Sequence, residues 1–301
     1  MTADDFTAPR PRYGPVPEAR VDGNHVLYAD AIVAEVPGFR PLTLDLVRPA
    51  KASGTVPLVI WIHGGAWLEG TNKRFIPHFS EIPSRIVRSG YAVTFITYRL
   101  SGEAHFPAQL HDVKAAVRWL RHHAAELAID ASRFAVWGES AGGHLAALLA
   151  LTGDDPELAG DVGSIDTSDR VHAGVIWYGP TNLLSMQSQA LPDAVLDHDA
   201  PDSPESCLLG APPQHDATRA AFASPVSYAL PNAAPVRLVH GTADRIVPWQ
   251  QSQELYQHLR SAGSEAELHL VPGADHCFIG VPAEPLIDDA LDFLGRVLDN
   301  R

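Results

Sequence analysis

The hydrophobic period of the chain changes repeatedly, and each change predicts an element. Val26 to Val36 and Leu42 to Val47 alternate apolar and polar residues around Pro37-Gly38, the period of an antiparallel pair with one covered face. Leu58-Val59-Ile60-Trp61-Ile62 is then apolar throughout, as expected for a strand buried on both faces of a parallel sheet. Similar runs recur at Tyr91 to Thr97, Phe134 to Trp137, Gly174 to Tyr178, Val236 to Val239 and Leu268 to Val271. Helical spacing separates most of them. It is clearest from Pro107 to Ala128, where Leu110, Val113, Val117, Leu120, Ala124 and Leu127 form one apolar stripe. Further helices are predicted near Phe75 to Arg88, Ala141 to Leu151, Trp249 to Ser261 and Ala283 to Leu298. Strand and helix in alternation predict the α/β class: a mostly parallel, twisted sheet of eight strands covered by helices on both sides.

Two stretches stand outside this alternation. Residues 1–24 are rich in Pro and Arg and have no period, so they read as an arm lying over the domain. Residues 181–235 separate two strands with some fifty positions rich in Pro, Ser, Asp and Ala. A connection of that length is usually functional or carries helices of its own; it reads equally as a lid over a pocket or as a surface insertion. The expected organisation is the arm at 1–24 and one domain over 25–301, with the lid inserted at about 181–235.

Composition narrows the function classes. At 301 residues the chain could hold two domains or one α/β domain with an insertion, and 46% hydrophobic residues suffice for a large core. A formal net charge of −14 disfavours nucleic acid and anionic membrane surfaces, which bind clustered Lys and Arg. No run approaches the ~20 apolar residues of a membrane span, and Met1 to Pro17 lacks the apolar centre of a signal peptide. The expectation is a soluble, cytoplasmic protein. Cys207 and Cys277 are taken as free thiols. The 15 histidines form no His-x-x-x-His pattern and no Cys-x-x-Cys occurs, so neither metal nor organic cofactor is expected. Assembly as a homodimer is left open.

The strongest chemical signal follows the run ending at Trp137. Gly138-Glu139-Ser140-Ala141-Gly142-Gly143 leads from a strand into an Ala- and Leu-rich helix. A turn that lifts a serine hydroxyl clear of a sheet strains the backbone, and small residues two before and two after the serine avoid a strand–helix clash. A bare Gly-x-Ser-x-Gly occurs by chance in many proteins as a flexible turn; strand, turn and helix together make Ser140 a candidate nucleophile. A serine hydroxyl needs a base, and the base needs a group that fixes its tautomer. Asp244 and His276 each follow a predicted strand, where ligand sites of open α/β sheets gather. Asp275 adjoins His276 in sequence, so its side chain diverges from the imidazole and reads as a turn residue. His240, ending a buried strand, and His63, before two glycines, read as structural. Gly64 and Gly65 allow close backbone approach to a reacting carbonyl, and with the N–H of Ala141 they are the candidate oxyanion donors.

His63-Gly64-Gly65-Ala66-Trp67, Phe106-Pro107-Ala108-Gln109, Asp112 to Leu120, Gly138 to Gly143 and the Asp244/His276 pair resemble the carboxylesterase and feruloyl-esterase-like branch of bacterial α/β-hydrolases. The resemblance runs from about Val26 to the C-terminus. It implies the α/β-hydrolase fold, a Ser140/Asp244/His276 triad with an oxyanion hole at Gly64, Gly65 and Ala141, and a serine carboxylesterase acting on small to medium acyl or aryl esters. Arylformamidases share the His-Gly-Gly-x-Trp motif, and an acyltransferase would use the same triad. A non-catalytic binding protein is disfavoured, because such proteins usually lose a triad member. Trp67, Tyr178, Trp249 and Phe278 flank the candidate loops and would serve as aromatic pocket walls, with core packing an equal alternative.

Overall fold

The computed structural model describes residues 12–299 except Phe75, Ser164 and Asn232, so the first eleven residues of the expected arm lie outside it. The strands are β1 Arg20–Asp22, β2 His25–Ala34, β3 Leu42–Pro49, β4 Val56–Ile62, β5 Ala92–Ile96, β6 Ile129–Glu139, β7 Ala173–Trp177, β8 Val236–Gly241 and β9 Ala266–Val271. They form one sheet in the order β1-β2-β3-β5-β4-β6-β7-β8-β9. The pairs from β1 to β5 are antiparallel, and every pair from β5 to β9 is parallel. The sheet has nine strands rather than the expected eight. The extra one, β1, is three exposed residues held by backbone pairing alone, so it carries no hydrophobic period to read. It lies within the stretch expected to be an arm. Upstream of it, Gly14 donates to Ile32 O at 2.8 Å, and the Trp119 indole donates to Gly14 O at 3.0 Å.

The helices are α1 Ile82–Arg88, α2 Ala108–His122, α3 Ala124–Leu127, α4 Ala141–Leu151, α5 Met186–Gln189, α6 Pro204–Leu209, α7 Ala217–Phe222, α8 Gln250–Ser261 and α9 Glu284–Leu298. Two cores flank the sheet. One packs α2, α4 and α8 against it; the other packs α1 and α9. In the second, β4, β6 and β7 each contribute a tryptophan: Trp61, Trp137 and Trp177 have centroids 5.7 and 4.9 Å apart in successive pairs. The rings stiffen the three central strands just below the ends that carry the site. Among the described residues no helix is long and apolar enough to cross a membrane.

Within residues 181–235 the chain forms α5, α6 and α7 with short 3-10 turns between them. A polar network ties its start to α8: Asn182, Ser185 and Gln189 all donate to the Glu254 carboxylate, at 2.6, 3.0 and 2.8 Å. Its far end meets the helix that follows Ser140, through His144 Nε2 and Ala223 O at 2.7 Å.

Candidate active site

β6 runs into α4 through Ser140, whose φ of 54° and ψ of −121° are strained for a residue with a side chain. Close packing makes that turn possible only with glycine on either side. A Cβ on Gly138 would lie 2.1 Å from Gly142 O, and one on Gly142 would lie 2.1 Å from Ile62 O. Ser140 N–H donates to Trp177 O at 3.0 Å, which fixes the turn to the neighbouring strand.

Three loops converge there. The Ser140 hydroxyl lies 3.0 Å from His276 Nε2, and His276 Nδ1 lies 2.8 Å from Asp244 Oδ2. With Asp244 ionised, Nδ1 carries the proton and Nε2 is left to accept from the serine. Asp244 Oδ1 accepts from the backbone of Ile246 and Val247 at 2.9 and 2.8 Å. Burial alone would raise the Asp244 pKa, but hydrogen bonds and charge from His240 and His276 hold it well below the usual carboxylate range. Asp275 meets the backbone N–H of His276 at 2.7 Å and the Arg245 side chain, not the imidazole. Cys277, adjacent in sequence, has its thiol pushed up to about 12 chiefly by burial, so it is no competing nucleophile at neutral pH.

The oxyanion side departs from expectation at one position. Gly64 N–H donates to Glu139 Oε1 at 2.6 Å, so its single proton is already spent. Gly64 is therefore removed from the expected donors. Among the described residues the N–H groups of Gly65 and Ala141 meet no protein acceptor, and neither does that of Ala66, which sequence reasoning missed. Ala141 opens the eleven-residue α4, whose N-terminus favours developing negative charge. Glu139 was missed because it occupies the variable position of Gly-x-Ser; the available signal was an acidic residue directly after the apolar run Phe134 to Trp137 and Gly138.

The aromatic expectation needs correction. Trp67, Tyr178 and Phe278 are at most 1% exposed and belong to the two cores, where they present no surface to a ligand. Tyr178 nevertheless packs edge-on against the His276 ring at 4.8 Å. Trp249 is half-buried just before α8. Beside the elbow a cavity of about 620 Å³ is lined by Glu69, Thr71, Arg74, Ile76 and Pro77, together with the core residues Trp61 and Phe79. Gly64, Gly65 and Glu139 also line it. Among the described residues no three His, Cys, Asp or Glu side chains gather as metal ligands.

The chain is similar to known esterases. The BD-FAE family matches residues 44–259. Esterase LipQ of Mycobacterium tuberculosis is 34% identical over 297 residues, which take in 93% of this chain and 66% of that protein. The chain spans about half to two-thirds of the length of the curated relatives it matches. Among solved structures, a truncated form of a carbohydrate esterase from gut microbiota superposes with a TM-score of 0.79 at 26% identity, covering 97% of this chain and 99% of that one. A bifunctional GH43-CE protein of Bacteroides eggerthii gives 0.77 at 32% identity, over 85% of this chain and 33% of that one.

Proposed function

The chain belongs to the BD-FAE family of α/β-hydrolases, and from that premise we propose that it is a serine carboxylesterase acting on small to medium acyl or aryl esters. The observation that carries the reading is the Ser140–His276–Asp244 relay, with its 3.0 and 2.8 Å contacts in an order that suits proton transfer. Its likeness to Esterase LipQ supports the same activity. His276 takes the serine proton as Ser140 Oγ attacks the acyl carbon, and Asp244 stabilises the imidazolium. The N–H groups of Gly65 and Ala141 receive the oxyanion. His276 then gives its proton to the leaving alcohol, and water activated by the same base releases the acid.

A second reading concerns the alcohol. Glu69, Thr71 and Arg74 give the cavity a side that suits a hydroxyl-rich leaving group, and a carbohydrate esterase is among the similar structures. Purified protein is to be assayed on p-nitrophenyl esters of increasing chain length, methyl ferulate, an acetylated sugar and N-formylkynurenine, with Ser140→Ala as control. Ester turnover lost in the variant supports the reading. Faster turnover of N-formylkynurenine than of every ester, or turnover that survives Ser140→Ala, sinks it.

A further inference from the structure

We propose that Glu139 is a positioning residue for the oxyanion loop: its carboxylate clamps the Gly64 peptide to the nucleophile elbow and thereby aims the Gly65 N–H at the reacting carbonyl. The inference rests on the reading of Ser140 as the nucleophile of an acyl-transfer site.

Glu139 is the last residue of β6 and immediately precedes Ser140, so whatever it holds is held in register with the nucleophile. Its side chain is buried, and Gly64 N–H donates to Oε1 at 2.6 Å, the short distance of a charge-assisted bond. The carboxylate lies flat against the glycine. A Cβ on Gly64 would stand 2.5 Å from Oε1 and 2.7 Å from Oε2, so contact with Glu139 is itself a reason for glycine at 64. The preceding peptide is held from its other side, where the buried Tyr98 hydroxyl donates to His63 O at 3.0 Å. Beyond these two anchors the chain enters a strained run: Gly65 has a φ of 102°, and Ala66 and Trp67 have φ of 55° and 57°. Such a run keeps its shape only when its surroundings over-determine it. Without the clamp, the Gly64–Gly65 peptide keeps only the contacts of its carbonyl, to His63 Nδ1 at 2.7 Å and to the Tyr98 hydroxyl at 3.4 Å, and the Gly65 N–H loses its tie to the elbow while the substrate cavity stays open.

Two roles for this carboxylate are separable. A clamp needs an acceptor oxygen, which glutamine keeps; an electrostatic partner for His276 needs the charge, which glutamine lacks. The experiment measures kcat and KM on p-nitrophenyl acetate, together with the rate of covalent labelling by a fluorophosphonate, in wild type, Glu139→Gln, Glu139→Ala and Gly64→Ala. Losing the aim of one oxyanion donor should cost Glu139→Ala about 10²-fold in kcat and in labelling rate, with KM within about threefold. Glu139→Gln should stay within about fivefold of wild type, with the acid limb of its pH–rate profile unmoved. Gly64→Ala, which pushes a methyl group into the carboxylate, should reproduce the kcat loss and decides the matter if Glu139→Ala does not fold. Wild-type rates in a folded Glu139→Ala or in Gly64→Ala overturn the clamp. So does a Glu139→Gln variant as impaired as Glu139→Ala. A wild-type chain that takes the fluorophosphonate but turns over no ester sinks the esterase reading alone, and its labelling rates still test the clamp. A wild-type chain inert to both probes sinks the nucleophile reading and the clamp with it.

Discussion

His240 Nε2 lies 3.4 Å from Asp244 Oδ2, the oxygen that also accepts from His276. The His240 ring is itself anchored at both nitrogens: Nε2 lies 2.9 Å from Val247 O, and Nδ1 2.7 Å from the Ser252 hydroxyl. Asp244 thus takes two backbone N–H donors on Oδ1 and His276 Nδ1 on Oδ2, with the His240 ring close beside Oδ2.

That surrounding dictates what an amide would do there. In Asp244→Asn the backbone donors of Ile246 and Val247 require the amide oxygen at the Oδ1 position, which turns the NH2 toward His276 Nδ1. The ring must then accept at Nδ1 and carry its proton on Nε2, where it cannot take the proton of Ser140. The expected loss is on the order of 10⁴ in kcat. Asp275→Asn should cost less than about tenfold, because Asp275 accepts from the backbone N–H groups of His276 and Arg245 and from the Arg245 side chain, and none of these is the imidazole. Steady-state kinetics of the two variants decide it. A larger loss in Asp275→Asn would remove Asp244 from the orienting role.

How much could be read from sequence follows from where each signal is written. Parallel strands are covered on both faces, so β4, β5 and β7 and the second half of β6 appear as mostly apolar runs, while Arg237 interrupts β8. Edge strand β1 has no such pressure and left no pattern. The apolar stripe of α2 predicts one covered face, yet Asp112, Lys114 and Arg118 on its other side are also buried. They are covered by residues far along the chain: Lys114 reaches Asp169 Oδ1 at 3.2 Å and Arg118 reaches Asp169 Oδ2 at 3.3 Å. Only tertiary contact encodes that. Likewise Ser140, Asp244 and His276 stand in turns whose local chemistry is visible, whereas the bond from Gly64 to Glu139 spans seventy-five positions and has no local signature.

The buried cations on α2 support a stability prediction that leaves catalysis alone. Asp169→Ala strips the carboxylate from two nearly inaccessible cations at once, and an uncompensated buried charge costs about 3–5 kcal/mol. Urea unfolding should show a loss of that order. In contrast, kcat per folded molecule should remain within about twofold, because none of the three side chains contacts Ser140, His276 or Asp244. A stability change below about 1 kcal/mol would mean that the pair is screened by water.

The elbow gives the opposite pattern. Gly142→Ala would press a methyl group against Ile62 O and His63 O, at 2.1 and 2.5 Å in the present geometry. Both are backbone atoms of the strand and oxyanion loop, so relief requires moving β4 away from α4. We expect a loss of at least about 2 kcal/mol of stability, together with loss of fluorophosphonate labelling in the fraction that folds. Normal labelling in a folded variant would show that the elbow tolerates a side chain.

Two buried histidines make the fold acid-sensitive well before its carboxylates titrate. His63 and His144 are both lowered to about 4, in each case chiefly by burial. Each meets a backbone carbonyl: His63 Nδ1 lies 2.7 Å from Gly64 O, and His144 Nε2 lies 2.7 Å from Ala223 O. In the unfolded chain both regain an ordinary value near 6.5. Between pH 6.5 and 4 the unfolded state therefore binds protons that the folded state refuses, and stability falls as pH falls through that window. By pH 5 the loss should be on the order of 2 kcal/mol per histidine. Depression of the Asp244 pKa acts in the same direction but at lower pH, because its contribution is full above the ordinary carboxylate value and is lost below it. Unfolding free energies at pH 7.5, 6 and 5 test this directly. A flat profile over that range would contradict the burial argument. His144→Asn should remove the His144 share of the slope, since asparagine takes up no proton, while its smaller side chain lowers stability at pH 7.5.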